Sequence, residues 1–193
     1  MPQRVDAPEA GQPDYEVIMT KAKPLPPVEV LRQHFSYDPE TGILRWTEYA
    51  SKQASRIKSG AIAGRLLNGY VQIRFKGLAY MGHRLIWAIH TGSDPEYRQV
   101  DHKNHLKSDN RWVNLRLATH GQNQANTPRW AHNPLAGTRK IGRKYQTKCS
   151  GGYLGTFDTE QEAHNAYVKW HREQYGEFSV FAAHVSSPVL GAG

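Results

Sequence analysis

Four side chains between Gln99 and Asn126 have the types and spacing to do chemistry: Asp101, His102, Asn114 and Asn123, in QVDHKNHLKSDNRWVNLRLATHGQNQAN. Asp101 offers a hard carboxylate oxygen and Asn123 a hard carbonyl oxygen. Two such ligands leave room for waters and a substrate phosphate around an ion like Mg2+. His102 follows Asp101 directly. Neighbours on a strand point to opposite faces, so the imidazole is free to face substrate while the carboxylate faces a metal. A neutral imidazole near pH 7 is suited to taking a proton from water. Asn104, Asp109 and Asn110 read as turn formers, which satisfy loop backbone with their own side chains, and His105 and His120 as solvated loop positions.

The elements that must position these groups follow from the local pattern. Leu115 and Leu117 alternate with polar residues, so 114–118 reads as a short strand. Thr119 is the expected N-cap of a helix running to about Asn126, and Pro128 ends it. The expected order is strand, long loop, strand, helix, with the Asp-His pair closing the first strand and Asn123 on the helix.

Asp101-His102, Asn114-Leu115-Arg116 and Asn123 resemble the HNH endonuclease family in its phage and intron-encoded variant, and His83-Arg84-Leu85-Ile86-Trp87 resembles the segment that precedes the motif there. The resemblance implies a ββα-metal fold and metal-dependent DNA hydrolysis. It makes His102 the general base, Asp101 and Asn123 the metal ligands and Asn114 the brace of the loop, with His83 in support and Arg84 and Arg116 as DNA contacts. The last motif position is Asn123 rather than His, which suits Mg2+, or Mn2+, better than zinc.

Composition narrows the class. The 193 residues suffice for one ordinary domain or two small ones. A single cysteine, Cys149, excludes an intramolecular disulfide and a multi-cysteine zinc site, and fits a reducing cytoplasm. No run is long and apolar enough to span a membrane, and no signal peptide is evident, so a cytoplasmic protein is expected, in the bacterial host if phage-encoded. The net charge is +8, and residues 31–131 hold 15 basic and 7 acidic groups. The positive excess therefore surrounds the Asp-His stretch, as a polyanion-binding surface requires.

Residues 1–27, rich in Pro, read as a flexible leader. Val28 to Phe35 reads as a helix, Ile43–Trp46 as a strand, and 50–60 as a basic loop with Lys52, Arg56 and Lys58. Asn68-Gly69 turns the chain into the alternating strand Tyr70–Phe75, Lys76-Gly77 into a strand Leu78–Met81, and a helix His83–His90 follows. This closes a nuclease unit over 28–131, with a ββα core at 99–127.

A linker at 132–136 leads to a second unit, 137–183, and a tail, 184–193. Short strands are expected at 137–141, 144–149 and 152–157, with Arg139, Lys140, Arg143, Lys144 and Lys148 among them. Thr159-Glu160-Gln161-Glu162 is a capping box, and Ala163, Ala166, Tyr167 and Trp170 form the apolar stripe of its helix. Tyr153-Leu154-Gly155-Thr156-Phe157-Asp158-Thr159, Glu162-Ala163, Ala166-Tyr167 and Tyr175-Gly176-Glu177-Phe178 resemble the APETALA-type, ethylene-response-factor DNA-binding domain. That resemblance implies a three-stranded sheet in the major groove, contacting DNA through those five basic residues, with Tyr145 at a position usually held by Trp.

The sequence thus predicts an α+β protein of two small modules, a metal-dependent HNH nuclease and a sheet-type DNA-binding domain. Chemistry is expected in the first and added affinity in the second, separable by truncation near His132. DNA is the expected partner, and no membrane is expected. The alternatives are a DNA-binding regulator with a relic nuclease module and an RNase; the complete set Asp101, His102, Asn114 and Asn123 speaks against a relic.

Overall fold

The computed structural model describes residues 23–127 and 135–182. The proposed tail and the larger parts of the leader and linker lie outside them.

The first unit begins with helix α1 (Val28–His34), the hairpin β1 (Phe35–Asp38) and β2 (Ile43–Trp46), and the short helix α2 (Glu48–Gln53). Then comes the antiparallel sheet of β3 (Arg65–Leu67), β4 (Tyr70–Phe75) and β5 (Leu78–Met81). Helix α3 (Gly82–Thr91) lies on the core, burying Leu85, Ile86, Ala88 and Ile89. These pack with Leu31, Phe35, Leu44, Ile73, Phe75 and Tyr80. The strand pair β6 (Gln99–His102) and β7 (Leu115–Ala118) sends Val100 and Leu115 into the same core, and helix α4 (His120–Ala125) follows. Thr119 and Gln122 close a reciprocal capping box on α4, which satisfies two orphan backbone donors and fixes where the helix starts.

The second unit is an antiparallel sheet of β8 (Thr138–Ile141), β9 (Lys144–Cys149) and β10 (Gly152–Phe157), order β10-β9-β8, backed by helix α5 (Glu160–Tyr175). Thr159 and Glu162 form the expected capping box. The unit starts earlier than the sequence suggests: Ala136 is fully buried and its carbonyl accepts from His164 Nδ1 at 2.8 Å.

Several expectations are corrected. Helix α1 stops at His34; Phe35 is its C-cap, in extended conformation, and opens β1, paired with Trp46. The basic loop at 50–60 begins as a helix, because Thr47 accepts from Ala50 N as an N-cap. Strand β3 gives no alternation to read, since Arg65, Leu66 and Leu67 are all exposed. The described end of the leader, 23–27, is tied down: Lys23 O accepts from Arg84 Nη1 at 2.9 Å, Leu25 N donates to Asp94, and Leu25 packs on the core.

One turn matters to the site. Gly42 has φ of 73°, and a Cβ there would lie 2.5 Å from Arg111 N and 2.6 Å from Asn110 C. Only glycine permits that backbone and that approach. With Tyr37 Oη donating to Asn110 O at 2.9 Å, the β1–β2 hairpin clamps the loop between β6 and β7.

Candidate active site

Asp101 and His102 end β6, and both are buried, 6% and 5% exposed. His102 Nε2 lies 3.1 Å from Asn110 Oδ1. An amide oxygen only accepts, so Nε2 carries the ring hydrogen and Nδ1 keeps the lone pair. The His83 ring stands edge-on to His102, centroids 5.1 Å apart. Burial holds His102 below the ordinary histidine pKa, opposed by the Asn110 bond and the Asp101 charge. His83 is pushed down to about 3 by burial, then by the neighbouring His102 and Arg84 charges. Both imidazoles are therefore neutral near pH 7.

Asn114 sits in a short 3-10 turn at the start of β7 rather than in the strand. Its Oδ1 accepts from Asn104 N at 2.9 Å, its Nδ2 donates to Asp109 O at 2.7 Å, and its carbonyl accepts from Lys103 N. These bonds join both ends of the loop, the geometry of a brace. Asn104 Nδ2 donates to Asp109 Oδ2 at 2.7 Å, as turn formers do. The Arg111 side chain, hydrogen-bonded to Asp109, holds that carboxyl below its usual range.

Asp101 accepts from Arg116 Nε at 3.0 Å and from Asn126 Nδ2 at 3.1 and 3.0 Å. Asn126 also donates to His102 O and accepts from His105 Nε2 at 2.9 Å. Asn123 Nδ2 donates to Gln99 Oε1, a bond that does not engage the carbonyl arm of the amide. Asp101, His102, Asn123, His83, Tyr70 and Lys107 line one cavity of about 540 Å3.

The site's residues fit a hard divalent ion. A carboxylate has about four lone-pair positions, and the Arg116 and Asn126 bonds leave Asp101 capacity to bind a metal. Asn123, on the same cavity, carries a carbonyl that could serve as a second hard oxygen. Among the described residues no group of three or more His, Cys, Asp or Glu side chains could hold a metal.

Sequence reasoning missed three members. Asn110 is 2% exposed and bonds the candidate base, where a turn former was expected. His105 is half-buried on Asn126 rather than solvated. Asn126 touches Asp101; its spacing of three from Asn123 on one helix was the available signal. Two arginines read as DNA contacts have partners within the protein, Arg84 while half-buried on the cavity wall and Arg116 while buried. Arg84 donates to Lys23 O and pairs with Asp94 at 3.4 Å. Arg116, 7% exposed, pairs with Asp101.

On the second unit Arg139, Lys140, Arg143, Lys144 and Lys148 are all exposed. They do not share one face. Thr147 is fully buried against α5, so Lys144 and Lys148, at odd offsets from it on β9, point the other way. Arg139, paired with Gln146, joins them. Lys140 lies opposite Tyr145 on the helix side, its Nζ 5.9 Å from that ring. Arg143 is at the turn, and Lys144 pairs with Asp158 at 3.0 Å.

Residues 80–125 match the family model of the HNH endonucleases. This segment is similar to the HNH endonucleases. It spans α3, β6, β7 and α4, and so holds Asp101, His102, Asn114 and Asn123. No curated protein matches the chain. A solved structure titled as DNA binding and cleavage by the HNH homing endonuclease I-HmuI is 20% identical, with 75% of this chain and 88% of that chain covered and a TM-score of 0.36. Among the described residues no helix is long and apolar enough to cross a membrane.

Proposed function

We propose that the chain is a metal-dependent DNA endonuclease of the phage or homing kind, hydrolysing phosphodiester bonds at the Asp101–His102 cavity. The observation that carries this reading is a buried, neutral His102 whose Nε2 hydrogen is committed to Asn110, beside the Asp101 carboxylate in a cavity that Asn123 shares. His102 Nδ1 takes the proton of the attacking water. Asn114 keeps the loop, and with it Asn110, in register. Asp101 and Asn123 would hold a hard divalent ion, Mg2+ or Mn2+, which would supply charge neutralisation during hydrolysis of the phosphodiester. Lys107 and Arg98, which line the same cavity, hold the flanking backbone.

The C-terminal sheet is proposed as a DNA-binding domain of the APETALA-like kind. Arg139, Lys144 and Lys148 on the face away from α5 make its phosphate contacts, with Arg143 at the turn. Supercoiled plasmid incubated with the protein and Mg2+ tests the whole reading. Nicked or linear DNA is expected, none is expected in EDTA, and Asp101→Ala should reproduce the EDTA result. Undiminished cleavage in EDTA would reject the metal mechanism.

A further inference from the structure

Arg116 joins the HNH segment to the far end of the chain. It stands opposite Asp101 in the β6–β7 pair, and its side chain is 8% exposed. Its Nε donates to Asp101 Oδ2 at 3.0 Å. On its other side Nη1 donates to Glu177 O at 2.6 Å and lies 3.6 Å from the Glu177 carboxylate, while the guanidinium carbon is 4.0 Å from the centre of the Phe178 ring. Two residues on, Val180 N donates to Ala125 O at 3.1 Å, at the end of the helix that carries Asn123.

This strap is itself anchored on the second unit. Ser179 is fully buried with its Oγ 2.7 Å from His171 Nδ1, and Arg172 Nε donates to Phe181 O at 2.8 Å. It therefore grips both β7 and α4 while being held by α5. A guanidinium presents its donors in one rigid plane. The acceptor and the ring on the Nη side fix that plane, and the plane fixes where Nε meets Asp101.

We propose that residues 177–180 are part of the nuclease site: they hold Arg116 as a positioning residue, and Arg116 sets the Asp101 carboxylate. This rests on the reading of Asp101 as a metal-holding group in a nuclease. It also alters the expected division of labour, because a fragment ending near His132 would lack a component of the site.

The test uses the full chain, with Phe178→Ala, Phe178→Tyr and Arg116→Lys. Two quantities are measured: Mn2+ binding by calorimetry without DNA, and steady-state plasmid cleavage in Mg2+. Loss of an outer partner of a metal ligand costs about 10–100-fold in metal affinity or activity. Phe178→Ala and Arg116→Lys should fall about 10-fold or more in both Mn2+ affinity and kcat, with KM for DNA unchanged. Phe178→Tyr, which keeps the ring face, should match wild type. If Phe178→Ala does not fold, Phe178→Leu, judged by circular dichroism, takes its place with the same expected loss. Wild-type Mn2+ affinity and kcat in the ring-less and Arg116→Lys variants overturn the proposal. A wild-type protein that neither binds Mn2+ nor cuts overturns the nuclease reading, and with it this one, before any variant is compared.

Discussion

Asn110 Oδ1 accepts the Nε2 hydrogen of His102 across 3.1 Å, with both side chains buried. That bond selects the tautomer whose Nδ1 is a base. The hairpin clamp at Gly42 and Tyr37 then places Asn110 itself. The proposed base is thus oriented from outside its own strand pair.

Replacing Asn110 with Leu keeps the bulk and removes the acceptor. Single-turnover cleavage should fall by about 10–100-fold, part of the 10²–10⁴ that a positioned base contributes. DNA affinity in a filter-binding assay should stay at the wild-type value. An unchanged rate would show that Nε2 needs no acceptor.

Burial lowers the His102 pKa, so the neutral base survives below the ordinary histidine value. The acid limb of the cleavage rate, where the imidazole takes up a proton, should therefore lie below the pH at which an ordinary histidine titrates. Asn110→Asp puts a carboxylate against Nε2, favours the protonated ring and should move the acid limb upward. A limb that stays in place in this variant would contradict the assigned contact.

Gly42→Ala should destabilise the fold and the site together. Its φ of 73° and the approach of Arg111 N make a Cβ both strained and obstructed. Backbone strain of this kind costs about 1–3 kcal/mol. A lowered Tm accompanied by slower cleavage is expected. A drop in Tm with full activity would show that the hairpin does not hold the loop.

The exposed face of the C-terminal sheet should act through phosphates alone. Arg139→Ala and Lys148→Ala should each reduce the slope of log affinity against log salt by about one, leaving kcat unchanged. Lys144→Ala should do less, because Asp158 already pairs with that ammonium. Equal slopes in all three variants and wild type would remove this face from the DNA contact.

Much of the site's scaffold was legible because its signals are local. The Thr119 and Thr159 caps, the alternation of β4 and the Leu115–Leu117 pattern each rest on residues a few positions apart. Asp101, His102 and Asn123, visible as residue types in the sequence, line one cavity. What could not be read depends on packing between distant segments. Asn110 looks like any turn residue until the Gly42 hairpin presses its loop onto His102. Arg116 looks like a surface cation until Glu177 and Phe178, some sixty residues away, enclose it. Arg84, half-buried, is held by Asp94 and by the chain ahead of α1. In each case the residue type was visible and its partner was not.

The most direct measurement is plasmid cleavage in Mg2+ by wild-type protein beside His102→Ala, with DNA binding recorded for both. Wild type should convert supercoiled plasmid to nicked or linear forms. His102→Ala should bind DNA as tightly and cut about 10²–10⁴-fold more slowly, the range for loss of a general base. Intact plasmid with wild type, or equal rates for the two proteins, would contradict the assignment of His102 as the base of a nuclease.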